Sequence, residues 1–245
     1  ERYHSDNIYP QNDKDIIATG ASGFGIMGTI VAIERKFITR EQGYAHLKKG
    51  IDFLAKADRF HGVWAHWMYP SGKAKPFSKG DDAGDLVETS FLAQALVTLR
   101  QYYTNGNAEE KALAQKADEL WKGIDWNFYR QDNKNVLYWH WSPTVGWKMN
   151  FAITGYNECL ITYIMAACSP THGVPAEVYH QGWAKNGAIN TNINLYGHPI
   201  KLKHNVVGES VGPLFWAHYS YLGLNPKGLK DKYADYWQEN RNHTL

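Results

Sequence analysis

The feature that most constrains the fold is a recurrence of glycine-rich segments, each of which leads into an apolar helix. Successive segments lie roughly 50–75 residues apart, which is typical of a repeated helical hairpin rather than of a βαβ unit. Two of the four segments also carry carboxylates at the start of the helix. The segments are residues 20–25, 80–85, 155–158 and 208–213. This pattern predicts a fold built from helical hairpins.

Hydrophobic patterning predicts about eight helices in four hairpins, with apolar helices alternating with amphipathic ones. Such alternation is typical of an inner ring of buried helices wrapped by an outer ring, an all-α barrel. A closed barrel of six hairpins needs about four more helices, so we expect a fragment or an incomplete ring. The predicted helices are 26–36, 39–57, 85–103, 108–123, 157–168, a short one from 175, 212–222 and 226–240, with a hairpin at 131–139 and short strands within 186–211.

The composition and charge of the chain give no indication of a nucleic-acid-binding or membrane-binding protein. The chain has 245 residues, of which 44% are hydrophobic, and its formal net charge is +2 without a basic block. This balance gives no reason to expect a nucleic acid or an anionic membrane as partner, and no apolar run reaches the roughly 20 residues of a membrane span. Cys159 and Cys168 lie about 13 Å apart on one predicted helix, too far for a disulfide.

The sequence predicts neither a metal nor a cofactor. Residues 20–25 do not follow the G-x-G-x-x-G pattern of dinucleotide binding, and no phosphate-binding loop is present. His61 and His66 lack a zinc-binding spacing, so we expect them to hydrogen-bond hydroxyl groups or to be ordinary loop residues.

Aromatic residues make up 14% of the chain and include 10 Trp. A core absorbs many such side chains, but segments 61–67 and 138–147 are rich in helix breakers, where large side chains often contact ligands. We therefore predict a sugar-binding cleft whose contacts include Trp64, His66, Trp67, Trp139, His140, Trp141, Trp147 and Tyr156.

Four carboxylates lie at or near predicted helix starts. Asp85 and Glu88 occupy the apolar stripe of helix 85–103, shortly after Asp81, and Glu158 occupies the matching place on helix 157–168. N-capping or helix-dipole compensation explains Asp81 and Asp85 readily, but Glu88 less well because it lies a turn further along the stripe. Hydrolysis of a glycosidic bond requires one carboxyl group as acid and a second as base or nucleophile. The arrangement of these carboxylates is therefore also consistent with a glycoside hydrolase.

The choice of acid depends on the pKa of each carboxyl group. A helix start lowers a carboxyl pKa, whereas an acid catalyst needs a raised one. Asp85 and Glu88 would raise each other's pKa, and for Glu158 we expect apolar walls from Tyr156, Trp139 and Trp141.

Several motifs resemble the bacterial glucoamylase-like family, which includes β-1,2-glucanases (family 144 of the glycoside hydrolases). The resemblance runs nearly end to end. Its motifs are residues 60–67, 84–89, 137–143, 155–158 (Gly-Tyr-Asn-Glu), 169–172, 212–215 and 218–220.

The resemblance implies an (α/α)6 toroid that cleaves β-1,2-glucan endo-wise with inversion at the anomeric carbon. It carries the essential acids onto Asp81, Asp85, Glu88 and Glu158, with Glu158 as the general acid, and adds His218 and Tyr219 to the sugar contacts. It also implies export to the periplasm or the medium. We expect a monomer that binds an oligo- or polysaccharide, and a single domain over residues 1–245 that is truncated at one or both ends, because the family's domain is longer.

Three alternatives stay open at the level of sequence. The first is an exo-acting glucoamylase that releases glucose from an α-linked glucan. The second is a glycan-binding module that keeps the aromatic cleft without catalysis. The third is a helical scaffold for protein partners, which the acids and glycines at the helix starts disfavour.

Overall fold

The computed structural model describes residues 15–206 and 212–245, and the chain divides into two compact units. Unit 1 holds the described residues up to 125 together with 140–149, and unit 2 holds 126–139 together with the described residues from 150 onward. The predicted glycine-rich segment 208–213 falls largely outside the described residues. Among the described residues, none of the helices combines the length and the apolar character that crossing a membrane requires.

Unit 1 is built on four helices, α1 (Thr19–Glu34), α2 (Arg40–Leu54), α3 (Leu86–Tyr103) and α4 (Ala108–Lys122). Helix α1 packs on α3, α2 packs on α1, α4 packs on α3, and α2 and α4 contact each other. In α3, 12 of 18 residues are buried, whereas in α2 only 4 of 15 are. The predicted contrast between a buried and an amphipathic helix is therefore confirmed for α3 and α2, whereas α1 with 7 of 16 residues buried is close to α4 with 6 of 15.

Two helix starts in unit 1, those of α2 and α4, follow from a local capping box. Thr39 accepts the backbone N–H of Gln42, and the Gln42 side chain accepts the backbone N–H of Thr39. Asn107 and Glu110 form the same reciprocal pair at the start of α4. Each box satisfies two backbone donors that would otherwise lack partners, so these boundaries are readable from sequence.

The prediction that residues 20–25 form a loop is wrong, because they lie inside α1. Close packing of α1 on α3 explains the glycines. A Cβ on Gly23 would lie 2.5 Å from the Phe91 carbonyl oxygen, so only glycine lets the two backbones approach this closely.

Short antiparallel strands in unit 1 connect the loops to the helix starts. Strands β1 (Ile17–Ala18), β2 (Trp67–Met68) and β3 (Ala74–Lys75) form one sheet in that order. Strand β4 (Gly84–Asp85) pairs with β5 (His140–Trp141), which places Asp85 beside His140. This pairing joins segments that are distant in sequence directly ahead of α3.

Unit 2 contains α5 (Leu160–Cys168), the hairpin of β6 (Asn190–Leu195) and β7 (His198–Leu202), α6 (Leu214–His218) and α7 (Tyr236–Thr244). The hairpin confirms the predicted short strands, and no disulfide joins Cys159 to Cys168. The expected helix near 175 is a π-helix at Val178–Trp183.

Two boundaries in unit 2 differ from the predictions. Residues 131–139 form turns rather than a hairpin, because the Arg130 guanidinium binds the carbonyls of Asn133 and Lys134 and closes the chain locally. The last helix begins at Tyr236 rather than 226, because Asp231 accepts the N–H groups of Tyr233 and Ala234 in a turn.

Candidate active site

In unit 1, Asp85 is the N-cap of α3 and is fully buried. Its Oδ1 accepts the Glu88 backbone N–H at 2.9 Å, and its Oδ2 lies 2.8 Å from His66 Nδ1. Both carboxylate oxygens therefore have protein partners. Asp85 fulfils the predicted capping role and at the same time holds an imidazole.

The imidazole of His66 is a charged member of this cluster. Burial disfavours its charged form, but the hydrogen bond and negative charge of Asp85, with smaller contributions from Glu88 and Asp81, raise the pKa of His66 to about 9. His66 is therefore an imidazolium at neutral pH, and it offsets part of the negative charge of the carboxylates.

Asp81 has a different environment from Asp85. Its Oδ2 lies 3.3 Å from His140 Nε2 and 3.6 Å from His66 Nδ1. Its Oδ1 is buried and has no hydrogen-bond partner among the described residues. A carboxylate oxygen in this state needs a hydrogen-bond donor, and a water molecule or a sugar hydroxyl supplies one.

Glu88 is held by the first turn of α1. Its Oε2 accepts the backbone N–H of Gly20 at 2.8 Å. Burial and the charge of Asp85 raise the pKa of Glu88 to about 7, although the positive charge of His66 opposes them. The expected raising of the Glu88 pKa by Asp85 is confirmed.

Aromatic side chains surround part of this cluster. Phe77 stacks on His66 with ring centroids 4.2 Å apart and lies edge-on to Trp67 at 4.7 Å. His61 packs edge-on against Trp141 at 4.8 Å. Trp67, His140, Trp141 and Trp147 are half-buried, so part of each side chain is accessible.

Trp64 is a core residue in place of the predicted sugar contact. It is fully buried, its Nε1 donates to the Leu54 carbonyl, and the Arg59 guanidinium lies over its ring. The sequence pattern could not separate it from Trp67, because its burial comes from contacts with Leu54 and Arg59 that the breaker-rich segment around it does not indicate.

The ligand atoms of His66, Asp81 and Asp85 lie within 4.8 Å of one another, close enough for one metal ion. An imidazolium carries a proton on each nitrogen and offers no lone pair to a metal. Because the His66 pKa is about 9, a cation would have to displace that proton first. The absence of a metal from the reaction stays a prediction.

In unit 2, Glu158 lies in a turn two residues ahead of α5, not in its first turn as predicted. Only 9% of it is exposed, and burial raises the pKa of its carboxyl group. It faces a cavity of about 410 Å³. The cavity is lined by Trp139, Phe151, Ala152, Ile153, Thr154, Asn157, Glu158, Asn205 and Trp216.

This cavity supplies the apolar environment that a general acid needs. The Trp139 and Phe151 rings pack against each other with centroids 5.3 Å apart. The expected wall from Trp139 is confirmed, whereas Tyr156 is only 1% exposed and packs in the core against His204 and His243. Tyr156 is therefore a structural residue rather than the predicted sugar contact.

The remaining predicted contacts of unit 2 lie near its last two helices. His218 Nε2 is 3.0 Å from the Thr244 hydroxyl, and Tyr219 is exposed and its ring is tilted against that of Phe215. Neither lines the cavity around Glu158.

Sequence reasoning missed Phe77, Phe151, Trp216 and Asn205 as candidate site residues. Trp216 directly follows the motif 212–215, and Phe77 lies in the breaker-rich loop that holds Asp81, so both had a usable signal. Phe151 and Asn205 had none, because isolated loop residues carry no periodicity.

Comparisons with known proteins agree with this geometry. The model of a family described as "Putative glucoamylase" matches residues 150–245. An endo-β-1,2-glucanase from Chitinophaga pinensis, solved with sophorotriose and glucose, is 62% identical with a TM-score of 0.96 over 100% of this chain and 59% of that one. The predicted resemblance to the glucoamylase-like family is confirmed.

Two further relatives match this chain over nearly its whole length. A structure described as a "putative glucoamylase" from Bacteroides caccae is 56% identical with a TM-score of 0.95, over 100% of this chain and 59% of that one. An exo β-1,2-glucooligosaccharide sophorohydrolase from Parabacteroides distasonis is 44% identical over 96% of this chain and 35% of that protein. The chain thus spans between about one third and three fifths of the length of these relatives.

Proposed function

We propose that the protein containing this chain is a glycoside hydrolase that cleaves β-1,2-glucan. The observation that carries the proposal is Glu158, a buried carboxyl group with a raised pKa in a cavity lined by Trp139, Phe151 and Trp216. A raised pKa favours the protonated form of the group, which can donate to a leaving oxygen. Aromatic rings provide apolar faces against which sugar rings pack.

The four carboxylates have separate proposed roles. Glu158 is the general acid. Asp81 activates water, because its buried Oδ1 has no hydrogen-bond partner among the described residues and can accept a proton from a water molecule. Asp85 and His66 form an ion pair, and the positive charge of His66 offsets the negative charge of the neighbouring Asp81. Glu88 exchanges a proton near neutral pH because its pKa is raised.

The proposed substrate and mode of cleavage rest on the relatives. Both relatives with assigned activity carry names that specify β-1,2-linked glucose, one endo-acting and one exo-acting. We propose endo cleavage, since the endo enzyme has the higher identity, and inversion at the anomeric carbon, which the family resemblance implies. Starch-directed exo cleavage and glycan binding without catalysis are the competing outcomes of the test.

The architecture and setting are proposed on the same grounds. We propose that residues 1–245 belong to one catalytic domain, part of an (α/α)6 toroid, because the solved relatives from Chitinophaga pinensis and Bacteroides caccae match the chain over its whole length. We also propose a monomer that is exported to the periplasm or the medium. Light scattering and cell fractionation test these two points.

The function is tested by chromatography of products from β-1,2-glucan, starch and β-1,3-glucan, using the protein at its full length. Short β-1,2-oligosaccharides are expected, and Glu158→Gln should lower kcat by about 10²–10⁴ while substrate still binds. The matched control is Glu177→Gln, an exposed glutamate of the same unit, which should leave kcat unchanged. Glucose from starch alone, or full turnover by Glu158→Gln, would overturn the proposal.

A further inference from the structure

The loop that presents Glu158 is fixed by contacts from several segments of unit 2. The Gly155 N–H donates to the Trp183 carbonyl at 2.9 Å, and the Tyr156 N–H donates to the Lys203 carbonyl at 3.1 Å. The Ser220 hydroxyl donates to the Glu158 carbonyl at 2.5 Å. The loop therefore has a single backbone path, and its position sets where the Glu158 carboxyl group lies.

His204 makes the side-chain contact to the middle of this loop. Its Nδ1 lies 2.8 Å from the Tyr156 carbonyl oxygen, and its ring stacks on the Tyr156 ring and packs against Trp216. Only 4% of His204 is exposed. A carbonyl oxygen only accepts, so Nδ1 must carry the proton, and the side chain is a buried donor aimed at the loop.

Two residues of α7, His243 and Glu239, lie on the Nε2 side of His204. His204 Nε2 lies 3.1 Å from His243 Nδ1, and His243 Nε2 lies 3.5 Å from Glu239 Oε2. Glu239 Oε2 also accepts the backbone N–H groups of Lys201 and Leu202. Because the Tyr156 carbonyl oxygen already requires the His204 proton on Nδ1, His204 Nε2 is an acceptor and His243 Nδ1 donates to it.

Electrostatics agree with this assignment. Burial and the neighbouring His243 lower the pKa of His204 to about 4, so it is neutral and has one donor and one acceptor nitrogen near neutral pH. The order His243, His204, Tyr156 carbonyl is thus complete, with each donor facing an acceptor.

We infer that His204 is a positioning residue for Glu158: its Nδ1–H holds the Tyr156 carbonyl, and the hydrogen bond from His243 to Nε2 supports the tautomer that makes this possible. The inference rests on the proposed role of Glu158 as the general acid. His204 touches no reacting atom. It acts on kcat because a displacement of about 1 Å in a catalytic group costs up to ~100-fold in rate.

Three substitutions of His204 separate this role from packing. In His204→Asn, the side-chain amide places an N–H donor where His204 has Nδ1. In His204→Gln, which has the same amide group on a longer side chain, the donor lies where His204 has Nε2. His204→Phe keeps the stacked ring and has no donor. Kinetics on β-1,2-glucan are measured for the protein at its full length, together with the melting temperature of each variant.

We expect His204→Gln and His204→Phe to lower kcat at least tenfold with KM within about threefold, and His204→Asn to stay within about threefold of wild type in both. Equal kcat values for the three variants, a loss confined to KM, or a kcat that follows only the melting temperature would overturn the inference.

A second measurement separates this inference from the proposed function. The Glu158 carboxyl group is titrated by ¹³C NMR without sugar, and its pKa should change in His204→Gln and return toward the wild-type value in His204→Asn. If this pattern appears while the wild type hydrolyses no glucan, the function is wrong and the positioning stands. If the wild type is active and Glu158→Gln is not, yet the His204 variants titrate alike, only the positioning is wrong.

Discussion

Replacing Asp85 by Asn removes one negative charge from the cluster in unit 1 and little else. Asn is as good an N-cap as Asp, and its Oδ1 can still accept the Glu88 backbone N–H that Asp85 accepts at 2.9 Å. The contact between Asp85 and His66 loses its ionic character. The substitution therefore isolates the charge that holds His66 as an imidazolium.

The magnitude follows from the pKa of His66, which is raised from its ordinary value of 6.5 to about 9. At about 1.4 kcal/mol per pKa unit, this rise corresponds to roughly 3 kcal/mol of preference for the charged ring. Burial alone would lower the pKa, and Asp85 is the largest cause that raises it. In Asp85→Asn we therefore expect a pKa at or below about 6.5, so that His66 is mostly neutral at pH 7.5.

The sign of the pH dependence also follows. Because the His66 pKa is higher in the folded state, its contribution is fully present below pH 6.5 and is lost as the pH rises toward 9. The wild type should lose up to about 3 kcal/mol of unfolding free energy across this window. Asp85→Asn should lack that decline.

The assay is ¹³C-detected histidine titration by NMR, supported by urea unfolding at several pH values. The matched control is Asp235→Asn, since Asp235 also caps a helix, by accepting the Gln238 N–H, and lies in unit 2 rather than beside His66. The control should leave the His66 pKa near 9. A His66 pKa that stays above 8 in Asp85→Asn would refute the electrostatic reasoning.

Three further results are expected. The Glu88 pKa of about 7 lies above its ordinary 4.5, so the free energy of unfolding should fall as the pH rises from 4.5 through 7. Glu88→Gln should abolish this fall and raise the free energy of unfolding by about 1–3 kcal/mol at pH 8. A lower melting temperature of this variant at pH 8 would contradict the prediction. Gly155→Ala should lower the free energy of unfolding in urea by about 2–4 kcal/mol, because φ is +80° and the new Cβ would clash with the Val206 nitrogen. The control Gly197→Ala, at φ +91° with open space around the new Cβ, should cost about 1 kcal/mol. Equal costs for the two variants would refute the clash. Because His66 is protonated, EDTA should leave glucan hydrolysis unchanged, and activity restored by added metal after EDTA would disprove this.

Much of the local structure could be predicted from sequence because its causes are local. The capping box at Thr39 and the helix 85–103, observed as Leu86–Tyr103, depend on residues within a few positions of each other. The motif 155–158 indicated Glu158, and the apolar stripe indicated Glu88, because both are short-range patterns. The prediction of a loop at residues 20–25 was wrong because the cause there is not local. Gly23 lets α1 pack closely on the backbone of Phe91, which lies 68 positions further along the chain.

The sequence by itself determined the helical hairpins of unit 1, the carboxylates at their starts and the aromatic loops, because each is encoded by short-range periodicity and breaker residues. Only the tertiary structure decided which of these groups meet. It placed His66 and His140 on Asp85 and Asp81, buried Trp64 and Tyr156 in the core, and enclosed Glu158 with Phe151 and Trp216. Burial and charge proximity set the pKa of a carboxyl group, and both depend on contacts between distant segments that a linear pattern does not contain.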